Sequence, residues 1–431
     1  MHGDSRFALN MVEQNLYDLS PAVRLMIVGV AVALGPLAWI WARHRNASTA
    51  RRLRVLTLVT LFLTFDLVIF GAFTRLTDSG LGCPDWPGCY GSASPVGAQL
   101  NIDAAQSAMP TGPVTHSKAW IEMIHRYLAT GVGVLILTLT VLTWQAGRDD
   151  RKKIYNFGVG ERSVGQARKT FSRPGEEHES QSEKCETDRL SLWWPGATLL
   201  WVCLQGAFGA LTVTMKLFPA IVTLHLLGGI VLLALLRAQS ERQLQLQNRT
   251  AAALMGTGMR RFLIAGFVLV WLQIALGGWV STNYAVLACT DFPACQNSFW
   301  PAMDFSQGFT LWRELGAGPD GANISFQALT AIHYVHRLAA YIVFFVLMTL
   351  AVWLHRTPAF RLHARWLAGL LLLQVATGVS NVVLGWPLIA AVAHTGGAAA
   401  LVIVLTGLVF SSRSQPELAR TSSLNAARLS A

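Results

Sequence analysis

Charge is what this chain has least of. Only 13% of its 431 residues are Asp, Glu, Lys or Arg, against 53% hydrophobic residues. A soluble domain carries about 25% charged residues, so a water-soluble globule is excluded and an all-α polytopic membrane protein fits. Two long stretches, 77–117 and 283–325, hold almost no Lys or Arg. That absence marks them as exterior loops by the positive-inside rule. Cysteine is sparse too, at six residues, which excludes a disulfide-dense scaffold. The net charge of +11 would suit nucleic acid, but there is no basic groove interleaved with aromatics. The Arg and Lys gather in the loops of one side, and no nucleic-acid partner is expected.

What is present is a series of apolar runs, each near the roughly 20 residues that cross a bilayer. They fall at 22–41, 55–76, 118–144, 191–215, 219–237, 262–282, 326–354, 365–385 and 387–411. Charge places 43–54, 145–190, 238–261, 355–364 and the tail from 412 inside the cell. The N-terminus is then outside and the C-terminus inside. The run at 22–41 is read as an extra anchor rather than a signal peptide, because its positive charges follow it. The mixed-charge segment 145–190 is read as a flexible cytoplasmic insertion, with Cys185 a reduced thiol.

The chain repeats itself. Residues 71–89 align without gaps to 277–295, and both blocks contain C-x-D-[WF]-P-x-C. E-M-I-H-R (122–126) matches H-Y-V-H-R (333–337), and L-Q-G-A-F-G (204–209) matches L-Q-V-A-T-G (373–378). Two pseudo-symmetric four-helix bundles follow, 55–237 and 262–411, related by an axis along the membrane normal. Residues 1–54 form the anchor with its Arg-rich loop, 238–261 the linker, and 412–431 the tail.

Four histidines sit inside the apolar runs: His125, His225, His336 and His394. An ionisable ring within a membrane is costly and tends to be functional. Each lies about six to ten residues into an outside-to-inside crossing, roughly 9–15 Å deep at 1.5 Å per residue. Two imidazoles per bundle suit two haems with paired axial ligands. The competing role is hydrogen-bonded packing. His333 also falls here, but the repeat pairs His336 with His125 and His333 with Glu122. His116, His355 and His363 read as surface residues, and Cys203 as packing. The glycine pairs after His225 and His394 suit either a flat macrocycle or close helix packing.

Cys83/Cys89 and Cys289/Cys295 occupy the exterior loops. Their spacing and an oxidising compartment favour two disulfides; one tetrahedral zinc is the competing arrangement. The pairs then serve as staples or as thiol–disulfide relays. Arg75, Arg126 and Arg337 are placed either to meet haem propionates or to snorkel to the interface. Glu122, one turn before His125, is either a proton-handling carboxylate or the partner of Arg126 or Lys118.

With these residues in view, the chain resembles the haem A synthase family. L-T-D-S-G-L-G-C-P-D-W-P-G-C, the paired Cys loops, E-M-I-H-R and the two later histidines carry the likeness, over about 55–411. The resemblance implies oxidation of a methyl substituent of haem O to the formyl group of haem A, for aa₃-type cytochrome oxidase. It implies haem b on His336 and His394, substrate haem O on His125 and His225, and mechanistic roles for Glu122 and the first Cys pair. Successive hydroxylations of the methyl, with haem b relaying electrons, are the expected chemistry. Haem O synthase and an electron donor are the expected partners besides the lipid bilayer, and a homo-oligomer is compatible. A bacterial plasma membrane is the expected location. The competing classes are a di-haem electron-transfer protein and a transporter.

Overall fold

The computed structural model describes residues 20–164, 176–248, 252–318 and 322–413, without the side chains of 149–192. Cys185 lies among the latter, and the tail from 414 lies outside the described residues. The elements are α1 (Ser20–His44), α2 (Thr49–Leu76), α3 (Gln99–Ala108), α4 (His116–Val164), α5 (Glu176–Thr214), α6 (Pro219–Asn248), α7 (Thr257–Thr282), α8 (Phe305–Gly308), α9 (Phe326–His355), α10 (Arg361–Val383) and α11 (Leu388–Ser411). Nine helices among the described residues are long and apolar enough to cross a membrane, and they coincide with the nine apolar runs. Within a bilayer a helix satisfies every backbone group internally, so helices are the form such runs take.

Several helices outrun their apolar cores. α2 starts at Thr49, where the Ser48 hydroxyl accepts from the Arg51 N–H. α6 continues to Asn248 through S-E-R-Q-L-Q-L-Q-N, a run of mostly good helix formers, with Arg237 and Glu241 paired at 2.9 Å. α4 and α5 extend into 145–190 from both sides. The linker is pinned rather than loose: residues 253–254 pair in parallel with 412–413, and Arg260 donates to the Ser412 carbonyl at 2.7 Å.

Helices α2, α4, α5 and α6 close into one bundle, with each touching two of the others, and α7, α9, α10 and α11 close into a second in the same order. Contacts of α6 with α7, α11 with α2 and α6 with α11 join the bundles. The first two of these are equivalent under the repeat, as a two-fold relation requires. Leu233, Leu236, Leu347, Leu350, Leu405 and Leu408 are fully buried along the inner faces. Outward-facing Trp41, Phe345 and Leu372 are largely exposed, as lipid-facing residues would be.

α1 packs chiefly on α4. A Cβ on Gly29 would meet Thr130 Cγ2 at 2.4 Å, and one on Gly131 would meet Val32 Cγ1 at 2.8 Å. Small residues thus allow the close approach that drives helix association in lipid. Leu25 also joins the apolar cluster around Cys83, Cys89, Ile102 and Met123, so α1 buttresses the first Cys loop. Among the described residues the second bundle has no such helix.

Gly29→Leu should therefore lower the thermal stability of the detergent-solubilised chain by about 1–3 kcal/mol, the usual cost of overpacking. A melting curve unchanged from the parent would show that α1 does not depend on this contact.

Candidate functional site

The four intramembrane histidines come from α4, α6, α9 and α11, and the intervening helices α2, α5, α7 and α10 each present a glycine to one of them. The position of an added Cβ lies 3.1 Å from His125 Cε1 at Gly71, 3.4 Å from His225 Cε1 at Gly209, 3.0 Å from His336 Cε1 at Gly277 and 3.3 Å from His394 Cε1 at Gly378. Gly71 and Gly277 are matched positions in the repeat, as are Gly209 and Gly378. A side chain at Gly71, Gly277 or Gly378 would crowd the ring, which would have to give by a few tenths of an ångström, whereas at Gly209 the contact is an ordinary one. Repeat comparison holds this signal, yet reading the histidines alone misses it. Each ring is half-buried. His125 lies within electrostatic reach of His225, and His336 within reach of His394, so each bundle holds one pair.

The glycine pairs after His225 and His394 do not face an open macrocycle space. The Gln205 amide fills the place of a Cβ on Gly228, and the Gln374 amide does so on Gly397. Helix packing is the reading that stands.

These rings fit haem ligation. Among the described residues no three His, Cys, Asp or Glu side chains converge as a metal cluster. Two imidazoles per bundle suit a metal that brings its other ligands in a macrocycle. Thr377 Oγ1 donates to the Leu373 carbonyl at 2.7 Å and lies 2.9 Å from His394 Nδ1. With its proton committed, the hydroxyl accepts from Nδ1–H, which leaves Nε2 with a free lone pair for iron. His336 Nδ1 lies 3.0 Å from the Gln273 amide. The Nδ1 atoms of His125 and His225 are buried without a partner. Phe70 stacks near His125, with ring centroids 6.2 Å apart and planes 12° apart.

Above each histidine pair stands a Cys loop, and the two loops are built alike. Cys83–Cys89 and Cys289–Cys295 are disulfides, so the four thiols do not share a zinc. Both loops carry a cis X-Pro bond, at Trp86–Pro87 and Phe292–Pro293. Asp85 accepts from the Tyr90 and Gly91 N–H groups, and Asp291 from those of Gln296 and Asn297. The Asn297 N–H, with that of Gln296, holds the Asp291 carboxyl below its ordinary range. All four cysteines are fully buried, as staples inside their loops would be.

The arginines that follow His125 and His336 turn to the Cys loops. Arg126 Nη1 donates to the carbonyls of Asp85 (3.0 Å), Pro87 (3.2 Å) and Gly88. Arg337 Nη1 does the same with Asp291 (3.0 Å), Pro293 (3.4 Å) and Ala294 (2.6 Å). Each clasps a Cys loop onto the helix that bears a histidine. Arg75 instead joins the halves: it donates to the Ser281 carbonyl at 2.6 Å, pairs with Asp78 and lies 4.1 Å from the Tyr284 ring centre.

Glu122 is buried. Its Oε1 pairs with Arg126, and its Oε2 accepts from the Cys83 N–H at 2.8 Å. Lys118 is not its partner; the Lys118 ammonium binds the Gly112 carbonyl at 3.1 Å. At the matching place His333 donates from Nδ1 to the Ala285 carbonyl at 3.0 Å, while Nε2 faces Arg337 at 3.5 Å. Both ring nitrogens are engaged, so His333 is a loop support. His116 lies beside Asp103 on the surface, and His355 is exposed. His363 is half-buried, with its ring Nδ1 buried without a partner and its ring near Phe360. Cys203 is exposed on α5 rather than packed.

Arg126→Met leaves Glu122 buried and unpaired and frees three loop carbonyls. A stability loss of about 3–5 kcal/mol is expected, together with faster reduction of Cys83–Cys89 by a small thiol, read by alkylation and mass spectrometry. Reduction at the parent rate would contradict the clasp.

Residues 54–406 match the family model of a cytochrome oxidase assembly protein, COX15-CtaA. The haem A synthase of Shewanella oneidensis is 35% identical over 80% of this chain and 92% of its own length. Those of Methylobacterium sp. and Halalkalibacterium halodurans are 27% and 24% identical, over 84% and 80% of this chain and 93% and 91% of their own lengths. The matched region takes in both Cys loops, all four glycine-seated histidines and both arginine clasps, and the chain belongs to the COX15-CtaA family of cytochrome oxidase assembly proteins.

Proposed function

We propose that this chain is a haem A synthase, oxidising a methyl substituent of haem O to the formyl group of haem A. The observation that carries this reading is the asymmetry between two otherwise matching bundles. One has a buried carboxylate, Glu122, a turn before its histidine, and the other has the neutral, fully engaged His333. In this proposal His125 and His225 hold haem O in the first bundle, and His336 and His394 hold haem b in the second. Resident haem b supplies an electron relay. Glu122, bonded to Arg126 and to the Cys83 N–H, holds a proton or stabilises positive charge at the substrate edge. In each of two hydroxylations an external oxidant of the dioxygen class supplies one oxygen atom to the substrate carbon, its other atom leaving as water with two protons and two electrons from the donor. The carbon passes from methyl to hydroxymethyl to geminal diol, and loss of water gives the aldehyde. The Cys loops face the exterior of a bacterial plasma membrane, consistent with their lack of Lys and Arg. Haem O synthase is the source of substrate in this scheme, and a separate donor supplies electrons.

The test is the haem content of membranes from a host that makes haem O but no haem A, with and without the chain. Haem A or a hydroxylated intermediate should appear only with the chain. Glu122→Ala should cut its formation by about a hundredfold or more, the scale of general acid–base catalysis, and His125→Ala should abolish it. Two bound haems with haem O left untouched would return the chain to the electron-transfer class.

A further inference from the structure

The two histidine pairs differ in what holds their second ring nitrogen. In the C-terminal bundle both Nδ1 atoms have side-chain neighbours: Thr377 Oγ1 at 2.9 Å from His394, and Gln273 Nε2 at 3.0 Å from His336. Gln273 Nε2 also donates to the His336 carbonyl at 3.1 Å, and its Oε1 has no partner. An amide turned over gives up that carbonyl bond and offers Oε1 to an Nδ1–H instead. A ring that ligates through Nε2 carries its proton on Nδ1 and draws the amide oxygen toward it.

The repeat gives the matching positions in the N-terminal bundle. Gln273 lies four residues before Gly277, and Leu67 lies four before Gly71. Thr377 lies one before Gly378, and Phe208 one before Gly209. Leu67 and Phe208 have no polar atom to offer, and the Nδ1 atoms of His125 and His225 are indeed unpartnered. The glycine seats are kept in both halves, whereas the hydrogen-bonding side chains stand in one half only.

A partner on the distal nitrogen fixes the tautomer and ring plane and raises the basicity of a ligating imidazole; its loss typically costs about 10–100-fold in metal affinity. We infer that Gln273 and Thr377 are positioning residues that lock the C-terminal imidazoles onto a resident haem, while Leu67 and Phe208 leave the N-terminal imidazoles free to turn, so that haem exchange is confined to the first bundle. This rests on the assignment of substrate and resident haem proposed above. It gives that assignment a physical basis: a substrate site must release its product, and a relay site must keep its haem.

The experiment uses the full-length, haem-loaded chain in detergent. Transfer of haem to excess apomyoglobin and the midpoint potential of the retained haem are measured, with His225→Ala and His394→Ala assigning each signal to its bundle. Thr377→Val and Gln273→Leu should speed loss of the C-terminal haem about 10–100-fold and raise its midpoint potential, because a less basic ligand favours the oxidised iron less. Thr377→Ser, which keeps the hydroxyl, should behave as the parent, and Leu67→Gln should slow loss of the N-terminal haem. If Thr377→Val and Gln273→Leu leave loss rate and potential unmoved, or shift both haems alike, the inference is overturned while the functional reading stands. A parent chain without histidine-dependent haem overturns both.

Discussion

Everything at the centre of this protein depends on seating an imidazole against a glycine of the next helix. An imidazole inside an apolar bundle cannot turn to water, so its direction is set by what lies beside it. Gly71, Gly209, Gly277 and Gly378 each lie against one ring edge, 3.0–3.4 Å from where a Cβ would stand. The four-fold recurrence builds two like pairs from alternate helices. Each bundle thereby carries two candidate nitrogen ligands.

The Cys loops extend this arrangement toward the membrane surface. Arg126 and Arg337 follow His125 and His336 directly in sequence, and each donates to three backbone carbonyls of its loop. A guanidinium suits this task because it offers several donors in one rigid plane. The disulfide, the Asp cap and the arginine clasp make the loop and the ligand helix one unit. Glu122 adds a tie from that helix to the Cys83 backbone in the first bundle alone. Leu25 of α1 packs against the same loop. The two halves share a scaffold and differ in the groups that touch it.

Much of this was legible in the residue order. The nine apolar runs gave the nine helices, since length and apolarity suffice to define a span. The repeat paired His336 with His125 and separated it from His333, whose ring nitrogens are both occupied. The arginines were read by residue type alone, and type does not say whether a guanidinium meets a propionate or a carbonyl. Cys203 was misjudged for a related reason: an apolar run does not reveal which of its faces turns inward. The glycine pairs after His225 and His394 were occupied by Gln205 and Gln374, side chains about twenty positions away whose reach depends on helix packing.

The sequence by itself determined the helical membrane class, the two-fold repeat, the candidate ligands and the placing of one Cys pair in each exterior loop, though not whether the pairs are disulfides. Each follows from residue type and local order. Only the tertiary structure decided which imidazole nitrogens have partners, what the arginines hold, and how Arg75 and Tyr284 tie the halves together. The reason is distance along the chain. Gln273 meets a ring 63 residues away, and Arg75 a carbonyl 206 residues away. Such contacts exist only once helices from separate parts of the chain are packed at a fixed angle and depth.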